Sequence, residues 1–305
     1  MNFSKLISLF LLVFYFSFCS CSSNDEDAVE DTVVSQNDDA NDDSTDGDGD
    51  ATDGDGDSNA SDDDMTTQLE SRFVFDQNIV IENSYNTGGC DSPPCNTNDE
   101  SLVDIFVNAV PDDNYFSLSD DLSELNLECQ LEKGRRIEFK QISEGPLTSF
   151  SRIELEGIYY DIPDNGVTIA QVHNRGGSGN KPFFRLVLHE DGLETVIRQD
   201  PEVDSRDTEF DKFDFAFSDG GDYDLSSLRI VVEKSSGFVH INVEQNGVMI
   251  LDQSYAPDPS TRWVSNTGIA NGFYLKAGLY NDDGPHTKNL VVGYSTVTFE
   301  SNDQQ

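Results

Sequence analysis

Positive charge is scarce in this sequence: 18 Lys and Arg stand against 59 Asp and Glu in 305 residues, a formal net charge of -41. Between Ser22 and Ser71 there is no Lys or Arg at all. A chain that neutralises phosphates needs the opposite sign, so nucleic-acid binding is excluded as a function class. Long apolar runs are scarce too. Only Leu6–Phe18 qualifies, and it is too short for an ordinary membrane span. No amphipathic pattern longer than about two helical turns occurs, which excludes a helical or α/β domain. Cysteine is limited to Cys19, Cys21, Cys90, Cys95 and Cys129. Cys90 and Cys95 bracket Asp-Ser-Pro-Pro without histidine ligands nearby, a poor zinc signature.

What is present divides the chain in three. Residues 1–21, with Lys5 before the apolar run, read as an export signal. Phe18-Cys19-Ser20-Cys21 resembles the lipobox of a bacterial lipoprotein, with Cys21 as the lipidated residue. The acidic Ser22–Asp27 that follows resembles the surface-export signal of Bacteroidetes lipoproteins. The expectation is an outer-membrane lipoprotein exposed on the cell surface and held to the membrane by the lipid on Cys21. Ordinary secretion with cleavage nearby is the alternative. Residues 22–66 hold eighteen acidic residues and almost no large apolar ones. Such a segment cannot bury enough surface to offset its ordering entropy and predicts a disordered, self-repelling tether. Its repeat, Thr45-Asp-Gly-Asp-Gly-Asp50 and Thr52-Asp-Gly-Asp-Gly-Asp57, lacks the distal Glu and flanking helices of a calcium-binding hand.

Residues 67–305 change texture. Without the leader and tether, 41 acidic residues still face 17 basic ones. Short runs of alternating apolar and polar residues predict strands, among them Arg72–Glu82, Leu102–Ala109, Arg136–Ile142, Ser149–Glu156, Val167–His173, Phe183–His189, Phe213–Phe217 and Gly272–Tyr280. Asn165-Gly166, Asp191-Gly192, Asn246-Gly247 and similar pairs punctuate them. The clearest hairpin is Phe238–Glu244 returning through Gln245-Asn246-Gly247 into Val248–Asp252. Many evenly spaced strands without helices predict an all-β, jelly-roll β-sandwich. In an oxidising compartment Cys90 and Cys95 are the favoured disulfide, leaving Cys129 as a core thiol, with pairings to Cys129 still open.

Three strands carry one polar row each. Alternate residues of a strand share a face, so Gln171 and His173 point together, away from Ala170 and Val172. Arg152, Glu154 and Glu156 form a second row. Tyr274, Lys276, Gly278 and Tyr280 form a third. A lone strand histidine is more often packed or surface than catalytic, and half-buried strands in general look like this. Pattern alone therefore predicts a groove and no reaction.

In order, Arg152-Ile-Glu-Leu-Glu156, Gln171-Val-His173 and Tyr274-Leu-Lys-Ala-Gly-Leu-Tyr280-Asn resemble the signature segments of polysaccharide lyase family 7, the alginate lyases. The family patterns are Arg-x-Glu-Leu-Arg, Gln-Ile/Val-His and Tyr-Phe-Lys-Ala-Gly-x-Tyr-x-Gln. The resemblance implies a jelly roll whose concave sheet binds an anionic uronate polymer, cleaved by β-elimination. It implies that Arg152 and Gln171 neutralise the uronate carboxylate, that His173 and Tyr280 transfer protons, and that Glu154 and Lys276 organise the site, with Tyr274 and Arg185 contacting substrate. Imidazole titrates near neutrality and suits the base role; Lys276 would acidify the Tyr280 phenol. No metal or organic cofactor and no protein partner are called for, so the chain is expected to act as a monomer. Valine in Gln171-Val-His173 leans toward mannuronate-rich alginate. Two positions depart from the family: Glu156 replaces a cation and Asp282 an amide, with Arg175 or Arg185 available to compensate for the former. Rival readings are a non-catalytic glycan-binding lipoprotein and a glycoside hydrolase using Glu154 and Glu156, whose strand spacing suits a retaining pair.

Overall fold

The computed structural model describes residues 72–74, 78–84, 97–101, 116–119, 121, 123–160, 165–176, 181–201, 210–217, 227–282, 284, 286 and 290–303. The leader, the tether, the Cys90–Cys95 loop and the strand expected at Leu102–Ala109 lie outside those residues. The described residues form a β-sandwich of two eight-stranded sheets, as the turn spacing predicts.

The back sheet runs β14 (Val248–Tyr255), β13 (Phe238–Gln245), β12 (Ser227–Ser235), β7 (Ser151–Tyr160), β16 (Leu290–Ser301), β5 (Leu125–Cys129) and β4 (Phe116–Leu118), with β1 (Phe73–Val74) beside β16. The front sheet runs β11 (Phe210–Ala216), β10 (Gly192–Arg198), β9 (Phe184–His189), β8 (Val167–Asn174), β15 (Phe273–Tyr280), β6 (Arg136–Gln141), β2 (Ile79–Ser84) and β3 (Thr97–Ser101). The run expected as one strand over Arg72–Glu82 is therefore divided between the sheets. The β13–β14 hairpin turns at Asn246 and Gly247, both with positive φ, as expected of an Asn-Gly turn.

Alternation sorts each strand between core and solvent. On β7, Ile153, Leu155 and Tyr159 are buried while Arg152, Glu154 and Glu156 are half-buried on the outer face. On β6, Ile137 and Phe139 enter the same core, each contributing roughly 1.5–3 kcal/mol by leaving water. Ala170 and Val172 from β8 and Leu275, Ala277 and Leu279 from β15 complete that layer. Cys129 is a free, buried thiol there, and burial pushes its pKa upward.

Two polar devices fix the front strands. Gln141, at the end of β6, accepts the backbone N–H of Leu275 at 3.0 Å and donates to Asp303 at 2.8 Å. Asp303 also pairs with the buried Lys234 at 2.8 Å, so the end of the chain, β12, β6 and β15 are joined at one point. At the end of β8, Asn174 donates to the carbonyl of Ile269 at 2.6 Å in a short helix, Thr267–Ala270. The Asn266 side chain caps that helix by accepting from Gly268 and Ile269.

Candidate active site

Gln171 and His173 on β8 and Tyr274, Lys276 and Tyr280 on β15 do share the outer face of the front sheet. The strands are direct neighbours, with Lys276 opposite Gln171 and Tyr274 opposite His173. The row of Arg152, Glu154 and Glu156 is elsewhere. Strand β7 pairs with β12 and β16, so Arg152, Glu154 and Glu156 project from the back sheet, across the whole core from His173. There Glu154 is held by Arg152 and by Arg229 at 2.7 Å, and Arg229 also reaches Glu244 at 2.9 Å. This is a solvent-facing charge ladder. The expected roles of Arg152, Glu154 and Glu156 are corrected accordingly, and a hydrolytic Glu154/Glu156 pair loses its cleft.

The place expected for that row is taken by β6, the other neighbour of β15. Arg136, Glu138 and Lys140 alternate with the core residues Ile137 and Phe139 and face the site. Arg136-Ile-Glu138-Phe-Lys140 thus repeats the Arg-x-Glu pattern of Arg152-Ile-Glu154 and ends in a cation. The signal was present in the sequence, but two copies of a three-residue pattern cannot be ranked without strand pairing.

One backbone position makes the floor possible. Gly278 has φ +144°, and a Cβ there would meet the carbonyl oxygen of Ile137 at 2.4 Å and Cα of Glu138 at 2.8 Å. Glycine lets β15 close on β6 over Glu138, where the β8–β15 register also shifts between Ala277 and Tyr280.

The floor is an ion network. The Lys276 ammonium, almost fully buried, contacts Glu138 at 2.7 Å and Glu82 of β2. Gln171 Nε2 donates to Glu138 Oε1 at 2.6 Å. Arg136 and Lys140 lie 3.8 Å from Glu138 and Glu82 respectively. Burial alone would raise the Glu82 pKa, but Lys276, Arg136 and Lys140 together hold it below the ordinary value. Burial likewise works against the charge of Arg136, and Glu138 and Glu82 more than restore it. Glu82 comes from a strand outside all three signature segments, so no motif pointed to it.

Above this floor is a cavity of about 260 Å³ lined by Arg136, Lys140, His173, Arg175, Tyr274 and Lys276, among others. The Arg175 guanidinium lies 4.4 Å over the Tyr274 ring and pairs with Glu144 at 3.1 Å. The ring of His173 stands 5.4 Å from that of Tyr274, and its Nδ1 accepts the backbone N–H of Asn174 at 3.1 Å. A neutral ring held this way carries its proton on Nε2.

Tyr280 lies opposite Arg136 across β15 and β6. Arg136 stacks on its ring at 4.1 Å, and its hydroxyl donates to Asp282 at 3.1 Å. Asp282 also pairs with Arg185 of β9. Burial and the Asp282 charge push the Tyr280 pKa up to about 12. The acidification expected from Lys276 is therefore reversed, because the ammonium is committed to Glu82 and Glu138. Arg185 is likewise engaged with Asp282. Gln171 departs from its expected role as well. Its amide nitrogen serves Glu138, and its carbonyl oxygen, buried and without a hydrogen-bond partner among the described residues, is an acceptor.

Several solved alginate lyases share this architecture. The alginate lyase AlyC3 superposes with a TM-score of 0.56 at 16% identity, over 73% of this chain and 90% of its own. An alginate lyase from Pseudomonas aeruginosa gives 0.54 at 14% identity, over 74% and 99%. A third, a member of polysaccharide lyase family 7, gives 0.56 at 14% identity, over 78% and 99%.

This chain has the alginate-lyase fold.

No family model and no curated protein matches the sequence. The jelly-roll fold is thus carried by tertiary structure at an identity where few side chains are shared. Within it, β6, β8 and β15 lie side by side, and Arg136, Gln171, His173 and Tyr280 come to one face.

Proposed function

We propose that the domain is a lyase that cleaves a uronate-bearing polysaccharide by β-elimination. The observation that carries this reading is the convergence of Arg136, Lys140 and His173 around one cavity on the front sheet, with Tyr280 stacked against Arg136 on the same face. Arg136 and Lys140 receive the uronate carboxylate and stabilise the negative charge that grows as the C5 proton leaves. His173 takes that proton at Nε2 once its own proton has moved to Nδ1, which requires release of the Asn174 N–H. The electron pair forms the C4–C5 double bond, the C4–O bond breaks, and the leaving oxygen takes the proton of the Tyr280 hydroxyl. A phenol raised to about 12 is protonated at neutral pH and serves as the acid. Glu138, Glu82 and Lys276 hold the cations in place.

Alginate, the substrate in the names of the structural neighbours, is the first polymer on which to test the reaction. Incubation of the purified chain with it should raise the ultraviolet absorbance of unsaturated uronate ends. The rise should vanish in His173→Ala and Tyr280→Phe. New reducing ends without absorbance would instead indicate hydrolysis, and retention on a polysaccharide gel without products would indicate a binding protein. The proposal extends to location: Cys21 carries a lipid that anchors the chain at the outer surface. A Cys21→Ala variant that stays in the membrane fraction would overturn that part.

A further inference from the structure

Resting on the lyase reading, we infer that Arg175 receives the carboxylate of a second uronate of the same chain, and that Glu144 keeps that place in the free protein until substrate displaces it.

The cavity floor is built for one carboxylate. Arg136, Lys140 and Lys276 stand there against Glu82 and Glu138, one cation in excess. These charges are mostly buried, and none of the partners can leave without stranding another. Arg175 lines the same cavity but belongs to a different arrangement. Its side chain is 33% exposed and pairs with a Glu144 side chain that is 31% exposed. Glu144 stands outside the cavity lining, and Arg175 is its one ion-pair partner among the described residues. A pair this exposed favours its closed form by about fivefold at most, because water solvates both ends when it opens. Of the cations lining the cavity, Arg175 is the one whose counterion can leave into water.

Arg175 is also held in place beforehand. Its backbone N–H donates to the Gly272 carbonyl at 3.0 Å, and its Nη1 donates to the Ile142 carbonyl at 3.2 Å. Its neighbours are fixed to the short helix: Asn174 is bonded to Ile269, and a Cβ on Gly176 would meet the Gly268 carbonyl oxygen at 2.3 Å. The Tyr274 ring backs the guanidinium. Burial pushes that phenol up to about 12, so it is neutral and takes none of the positive charge. Glu144 is anchored through its backbone, since the next residue, Gly145, exchanges two hydrogen bonds of 3.0 Å with Phe273. Releasing Glu144 is therefore a side-chain swing and needs no loop opening.

Position separates Arg175 from the floor. Lys140 is opposite Lys276, whereas Arg175 bonds to Gly272, four residues along β15 and about 13 Å away. Lys140 leans towards Glu82 on β2, while Arg175 is drawn over Tyr274 towards Ile142 and Glu144. One carboxylate cannot serve both places; two carboxylates on one polymer can.

The test follows polymannuronate and polyguluronate by ultraviolet absorbance and, in parallel, by retention in affinity electrophoresis. Glu144→Gln should lower KM and the dissociation constant about two- to fivefold with kcat within about twofold, because a competing carboxylate is gone. Arg175→Met should raise KM about tenfold, and Arg175→Lys should recover part of that loss. In the Arg175→Met background, Glu144→Gln should leave KM unmoved. An unchanged or raised KM in Glu144→Gln would make the pair a structural prop. A Glu144 effect that persists without Arg175 would show a diffuse charge effect. Either result, or a fall in kcat with KM unmoved in Arg175→Met, would overturn the inference while the lyase reading stands. No absorbance from the wild type on either polymer would overturn the lyase reading; the retention ratios of the same variants then decide the inference by themselves.

Discussion

Glu82 and Glu138 are directly opposed across β2 and β6, and both reach the Lys276 ammonium. Two carboxylates face to face repel; one buried cation between them turns the repulsion into a clamp that spans three strands. Removing that cation leaves two uncompensated buried charges. Lys276→Met should therefore cost about 3–5 kcal/mol of stability, read from urea denaturation. A loss below ~1 kcal/mol would show that the network is not under electrostatic tension.

The clamp also makes stability depend on acid. The folded Glu82 pKa lies below its ordinary value, so the unfolded chain binds this proton first as pH falls. Its contribution is complete above the unfolded pKa of ~4.3 and is lost as pH drops through the folded value. The urea midpoint of the wild type should fall more steeply below pH ~4.3 than that of Glu82→Gln. Parallel curves would remove Glu82 from the account.

The two Arg-x-Glu copies can be told apart by activity. Arg136→Ala should lower kcat/KM by roughly 10²–10³-fold, as expected when a charge-stabilising donor is deleted. Arg152→Ala and Glu156→Gln, on the back sheet, should leave it within about twofold. Sensitivity at Arg152 with indifference at Arg136 would reverse the assignment.

Tyr280 should titrate late. A tyrosinate ultraviolet difference titration, wild type minus Tyr280→Phe, should show one phenol ionising near pH 12 rather than near ~10. Since the folded value is the higher one, the stability it contributes is present below pH ~10 and is lost as pH rises toward 12. Asp282→Asn should bring the titration down, because the Asp282 charge and hydrogen bond, which add to burial in raising it, are then gone. An unchanged titration in that variant would leave the rise to burial and the Glu138 charge.

Gly278→Ala should lower the melting temperature markedly. Its left-handed backbone and the 2.4 Å approach of a Cβ to the Ile137 carbonyl leave no relaxed alternative, and strain of this kind costs on the order of 1–3 kcal/mol. A stability within ~0.5 kcal/mol of wild type would mean that β15 can part from β6 freely.

Much of this was legible in the chain itself. The two-residue period put Ile153, Val172 and Leu275 inside and Gln171, His173, Lys276 and Tyr280 outside, because a pleated strand offers only two faces. Asn246-Gly247 announced its hairpin for an equally local reason, the positive φ that an Asn-Gly turn requires. Periodicity cannot say which strand lies beside which. Arg152-Ile-Glu154 and Arg136-Ile-Glu138 have the same alternation, and only hydrogen bonding between strands far apart in sequence sends the first to the back sheet and the second beside Lys276. For the same reason Glu82 was invisible and Glu156 seemed to face the groove. Ionisation depends still more on the third dimension. Sequence placed Lys276 four residues from Tyr280 and suggested an acidified phenol; the fold gives the ammonium to two carboxylates and the phenol to Asp282. Local rules fix which face a side chain takes, and long-range pairing decides whose company it keeps there.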